Sequence, residues 1–276
     1  MQHNNPVFSR MPEFTRGGYA TFDARPGQPA QAGAAGTAAT DAVSAQRLEE
    51  MYAQPSAGPL QTGRMTYDDV VMKTAALFGV LVVAAGLTWV LAPGLFVVGM
   101  IGGLVLGLVN AFKREPSPAL ILAYAAFQGV FLGGISAVFE AQWNGIVAQA
   151  VVATLGTFGV MLALYKSGKI RVTPKFQRIM LFAVGGYMIF VLVNLAFALF
   201  AGESLRGFGP LGLLIGAVGA VLAALMLTLD FDFIDKGVQQ GIPAKFAWTA
   251  AFGLAVTLIW LYVEFLRILA ILRGDE

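Results

Sequence analysis

Residues 227–235 read LTLDFDFID and close an apolar run that begins near Pro210. Asp230, Asp232 and Asp235 thus stand at one edge of a membrane helix. Charged side chains inside a bilayer are costly and usually mark a pathway, a proton relay or a binding site. At about 100° per residue, Asp230 shares a face with Gly212, Gly216, Gly219 and Ala223. Small residues along one face mark where a membrane helix packs against a neighbour. Asp230 is therefore expected to point into a helix bundle. Asp232 lies roughly 200° and Asp235 roughly 140° around the helix from it. Those two share another side, close to a loop, and read as solvated or headgroup-level charge.

The composition agrees with a membrane setting. The chain has 276 residues, 57% of them hydrophobic and only 12% charged, and a mean hydropathy of +0.72. Soluble domains are about a quarter charged. The fold class is an all-α polytopic membrane protein, and its first partner is the lipid bilayer. The net charge of +2 does not point to nucleic acid, because the basic residues fall in short loops between apolar runs. Cysteine is absent, which excludes disulfides and thiolate chemistry. The one histidine, His3, is in the N-terminal tail, so histidine metal sites and catalytic triads within the membrane are excluded.

Residues 1–63 differ from the rest. They hold most of the Pro, Ser, Thr, Gln and Asn, and such a segment buries too little apolar surface to offset its ordering entropy. It reads as a disordered tail without the charged start and apolar core of a signal peptide. Its clusters NNPVFSR and FTRGGYATFD are the least random parts. A helix start follows at RMTYDD, with Thr66 as N-cap and Asp68 and Asp69 near the first-turn amides.

Residues 64–276 form a seven-helix transmembrane domain. A spanning helix needs about 20 residues. Seven apolar runs qualify, over about 70–92, 95–112, 118–139, 145–165, 176–201, 210–234 and 245–272. Gly99, Gly103 and Gly107 recur at intervals of four in the second, as do Gly129 and Gly133 in the third. This spacing lets helices approach closely. Asn110, Gln128, Gln149 and Asn194 lie within apolar runs and are expected to make interhelical hydrogen bonds.

Loop charges predict the orientation. Lys113 and Arg114 follow the second helix. Lys166, Lys169, Arg171, Lys175 and Arg178 follow the fourth, and Lys236 and Lys245 the sixth. The alternate loops hold Glu140 alone, Glu203 with Arg206, or no charge. This places the tail in the cytoplasm and the C-terminus outside, with Asp230 near the cytoplasmic end of its helix.

The seventh run contains TLIWLYVEFLRIL. Thr257 and Glu264 are seven residues apart and share a face, with Glu264 about 10 Å further toward the outside. Arg267 is within reach of Glu264. Two readings stand: a self-satisfied Glu264–Arg267 pair, or a polar path that Glu264 lines and whose inner end is Asp230.

The sixth-helix ending LTLDFDFI, the seventh-helix ending LIWLYVEFLRILAIL and the third-helix run AYAAFQGVFLGGIS resemble the Bax inhibitor-1/YccA family. It is also called the transmembrane Bax inhibitor motif family. The resemblance covers about Thr66 to the C-terminus. The tail with NPVFSR looks like the actinobacterial-type bacterial branch, which implies the bacterial inner membrane. The resemblance implies six helices around a central seventh, and a pH-sensitive calcium leak. It further implies a pair of aspartates, one each on the sixth and seventh helices, that shares protons and gates the path. Asp230 matches the first of the pair. At the second position this chain has Thr257, and Glu264 falls two turns later. Two carboxylates in contact share a proton because both cannot easily ionise. Asp230 beside Thr257 is instead expected to titrate as a single site.

Three functions compete. The first is a leak pathway for calcium or another cation, for which Asp230, Asp232, Asp235, Glu264 and Thr257 supply oxygen ligands. Only weak calcium binding, at Asp230 and Asp232, is expected, and no cofactor. The second is a non-transporting regulator that modulates a membrane-bound ATP-dependent protease, with the tail as its docking arm. The third is an intramembrane aspartyl protease. It is disfavoured because a GxGD-type motif and the second aspartate are missing, so the chain is not expected to be an enzyme.

Overall fold

The structure, a computed structural model, describes residues 63–201, 207 and 209–274. The chain divides into Met1–Ser56 and Ala57–Glu276, and all described residues belong to the second unit. The expected tail and its two clusters therefore lie outside the described residues, as do Glu203, Arg206 and the final two residues.

Seven helices long and apolar enough to cross a membrane are present among the described residues. They are α1 (Tyr67–Leu91), α2 (Phe96–Phe112), α3 (Pro118–Gln142), α4 (Ile146–Lys166), α5 (Pro174–Ala201), α6 (Pro210–Gln240) and α7 (Ala247–Gly274). This is the expected all-α, multi-pass membrane protein. Local chemistry explains the boundaries. Thr66 caps α1 as read from RMTYDD: its side chain accepts from the Asp69 amide at 3.0 Å, and the Thr66 amide donates to Asp69 Oδ2 at 3.2 Å. Prolines open α3, α5 and α6, where the missing N–H costs nothing.

Most boundaries fall within three residues of expectation, and one differs by more. The sixth helix was expected to end at 234, but α6 runs to Gln240. The loss of apolar character after Ile234 does not stop a helix. Gly241 does, at φ +63°, followed by Pro243. Lys236 is consequently a helical residue, not a loop residue. Asp230 stands ten residues before the helix end, about 15 Å at 1.5 Å per residue. It is thus nearer the middle of α6 than its edge.

Helix α7 is the most buried span and packs against α1, α3, α4 and α6. Helix α2 packs on α3, and α5 packs on α6. Two apolar cores result. One joins α1, α3, α4 and α7 through residues such as Leu77, Ala125, Ala150 and Ala255. Within it the Ser136 and Tyr262 hydroxyls lie 2.6 Å apart. The other joins α4, α6 and α7 through Met161, Ala223, Leu227 and Leu261, with Met65 and Val70 from the start of α1.

Backbone pairing fastens the entry of the bundle. The Met65 amide donates to the Ile242 carbonyl at 2.7 Å, and the Ala244 amide donates to the Gly63 carbonyl at 2.8 Å. This clasp ties the segment before α1 to the loop between α6 and α7.

The glycine reading holds. A Cβ at Gly129 would lie 2.7 Å from the Ala84 Cβ, and one at Gly103 would lie 2.8 Å from Gln128 Nε2. Without a hydrophobic drive between helices in lipid, close contact of this kind is what holds them. Of the polar residues in apolar runs, Asn110 bridges helices as expected, donating to the Leu120 carbonyl at 3.2 Å. Gln149 instead lies on the exposed face of α4. Gly129→Val should destabilise the detergent-solubilised protein by about 1–3 kcal/mol through overpacking. Gly86→Val, at a position with open space around it, should leave the melting temperature near wild type.

Candidate functional site at the contact of α6 and α7

The face of α6 that carries Gly212, Gly216, Gly219 and Ala223 is buried. Asp230 continues that face. The Thr257 hydroxyl of α7 donates to Asp230 Oδ2 at 2.7 Å. Thr257 is itself buried. Room for the carboxylate comes from Gly253, where a Cβ would stand 3.0 Å from Asp230 Oδ1. The aspartate thus meets a neutral hydroxyl across the helix contact.

Glu264 forms a second polar centre on the same face of α7, about 10 Å along the axis from Thr257. It is 2% exposed. Its Oε1 accepts from the Tyr187 hydroxyl of α5 at 2.7 Å and from the Trp260 indole N–H at 3.2 Å. The two rings lie 5.4 Å apart, inclined by 30°. The glycines of α6 leave space for this centre: a Cβ at Gly219 would come within 2.9 Å of Glu264 Cδ. Arg267 reaches toward the same helix, its Nη2 3.4 Å from where a Cβ on Gly212 would be. Between the two centres, Ala223, Leu227 and Leu261 are fully buried. The column is polar, apolar, polar.

The other carboxylates of LTLDFDFID do not join this column. Asp232 was expected to be solvated or at headgroup level; it is buried, so the solvated alternative does not hold. The extension of α6 supplies Lys236 one turn later, and its Nζ lies 2.7 Å from Asp232 Oδ2. Asp235 accepts from the Tyr67 hydroxyl at 2.5 Å and from the Tyr165 hydroxyl at 3.5 Å. It thereby joins α6 to the start of α1 and the end of α4. Asp230 and Asp232 face different partners, and among the described residues no three His, Cys, Asp or Glu side chains converge as a metal site.

Sequence reasoning missed five of these partners. Trp260 precedes Glu264 by four residues and Lys236 follows Asp232 by four, so helical spacing could have found both. Tyr187, Tyr67 and Tyr165 come from other helices, and no local signal marks them.

The sequence profile of the Bax inhibitor 1 like family matches residues 5–274. The chain belongs to that family. The match reaches well before Thr66 and takes in NPVFSR, so the family likeness is longer than the third, sixth and seventh helices alone suggested. No curated protein matches the chain. Within this Bax inhibitor 1 like bundle, Asp230 and Thr257 occupy the two positions at which the resemblance implied a pair of aspartates.

The Glu264 centre yields a stability test. Tyr187→Phe removes one donor from a buried carboxylate and should cost about 1 kcal/mol, within the range of interhelical hydrogen bonds in membranes. Adding Glu264→Gln should change stability less in the Tyr187→Phe background than in wild type. The two residues share one contact, so their effects are not additive. Thermal melts of the four proteins in detergent measure it.

Proposed function

We propose that this protein is a pH-sensitive leak pathway for calcium or a similar cation, gated by one proton at Asp230. The observation that carries the reading is the 2.7 Å contact between Thr257 and Asp230. An ionised carboxylate accepts the threonine proton. A protonated one gains an O–H donor that needs its own acceptor and accepts the threonine hydrogen bond more weakly, so the contact between α6 and α7 loosens. Such a pair is an interhelical bond whose strength depends on protonation. A second carboxylate at Thr257 would have coupled two protons. With a hydroxyl there, the transition is a single-site one.

The polar, apolar, polar column supports a gate. A cation passing along α6 and α7 would meet Asp230, then the apolar stretch of Ala223, Leu227 and Leu261, then Glu264. Apolar constrictions gate by excluding water, and weak, separated oxygen sites suit conduction better than a tight cage. The charge pattern of the loops supports a cytoplasmic basic end and an outward C-terminus, and the resemblance of the NPVFSR tail to the bacterial branch supports residence in a bacterial cell membrane.

A second reading draws on the clasp between residues 63–65 and 242–244. A protein engaged through its N-terminal segment would pull directly on the end of α6. This suits a regulator of a membrane-bound ATP-dependent protease.

In proteoliposomes, calcium flux in wild type should change between pH 6 and pH 8 with a slope of about one proton. Asp230→Asn should make the flux equal at the two pH values. Thr257→Asp should convert the transition into two coupled steps. Flux that is absent under every condition would reject the leak, and a phenotype that follows deletion of the tail would then favour the regulator. A two-proton transition in wild type that Glu264→Gln abolishes would move the gate away from Asp230.

A further inference from the structure

The geometry points to a binding site for an anionic phospholipid in the groove between the first turn of α5 and the last turns of α6. The groove encloses about 480 Å³ and is lined by Gln177 of α5 and by Leu229, Asp232, Phe233, Lys236 and Gln240 of α6. Residues 229, 233, 236 and 240 are spaced at three to four along α6, so they share one face. Read toward the helix end, that face changes from apolar to polar. Phe233 is 41% exposed, and one turn later the Lys236 side chain is 50% exposed. An amphiphile aligned with the helix would place its acyl chain on Leu229 and Phe233. Its headgroup would meet Lys236 and the amides of Gln177 and Gln240.

The charge around the groove selects an anion. The segment from Lys166 to Arg178 holds Lys166, Lys169, Arg171, Lys175 and Arg178, all exposed, and no acidic residue. Ile170 packs against the core formed by Met65, Phe231 and Ile234, which holds this basic segment at the same end of α6. Of the two carboxylates on the last turns of α6, Asp235 is turned toward Tyr67 and Tyr165, while Asp68 of α1 lines the adjoining cavity beside Arg64. Asp232 lines the groove, but its charge is matched by Lys236. Lys236 is therefore shared. A phosphodiester entering the groove competes with Asp232 for the same ammonium group, and Asp232 weakens the site it borders. The apolar half of the groove favours a lipid over a free phosphate.

The test uses the purified full-length protein in detergent. It is titrated with phosphatidylglycerol, phosphatidylcholine or glycerol 3-phosphate, and bound lipid is read by native mass spectrometry and by the melting temperature. Phosphatidylglycerol should bind and raise the melting temperature, and the other two should not. Lys236→Gln should weaken binding about fivefold, the effect of one basic charge near a membrane surface. Asp232→Asn should tighten it, which general electrostatic attraction to the basic segment does not require. Equal binding of phosphatidylcholine would overturn the site, as would wild-type affinity in both variants. Equal binding of glycerol 3-phosphate would show a site for soluble phosphate instead of a lipid.

Discussion

A carboxylate placed in hydrocarbon must find its hydrogen-bond partners within the protein, because the surrounding solvent offers none. That constraint shapes the whole contact between α6 and α7. Asp230 is tolerable there because the Thr257 hydroxyl meets it and Gly253 leaves space. Glu264 is tolerable because Tyr187 and Trp260 donate to it and because Gly219 keeps α6 clear of its carboxyl. The small residues and the acidic residues of these helices are one arrangement. Glycine and alanine bring the backbones close, and closeness allows polar side chains to satisfy one another across the interface.

The same economy of space divides the bundle into parts. On the α1–α3 side, glycines at 129 and 133 bring α3 against the backbone of α1 at Leu81 and Ala85. On the α6–α7 side the glycines make room for carboxylates, and three of the four bond to another helix: Asp230 to α7, Asp235 to α1 and α4, Glu264 to α5 as well as to its own helix, whereas Asp232 pairs within α6. Helix α6 is therefore tied to its neighbours largely through carboxylates, and the clasp to residues 63–65 fastens the loop that follows it.

The length of α6 links the two ends of this description. Its 31 residues exceed the roughly 20 that a bilayer requires. The additional turns carry Lys236 and Gln240, bring Lys236 onto Asp232, and form one wall of the groove beside α5. A helix ending at residue 234 would have neither the ion pair nor the groove.

The sequence by itself determined the class, the seven spans, the cap at Thr66 and the packing face of α6, each by a local rule: apolar length, helical period, or residue type at a turn. The meeting of Asp230 with Thr257 followed only from the family resemblance. Apolar content does not mark the end of α6, because the stop signal is Gly241 with its positive φ. Only the tertiary structure decided the rest. Tyr187, Tyr67 and Tyr165 come to their carboxylates from 77, 168 and 70 positions away in the chain. Which tyrosine hydroxyl reaches which carboxylate is set by how the helices pack, and no periodicity within a single segment carries that information.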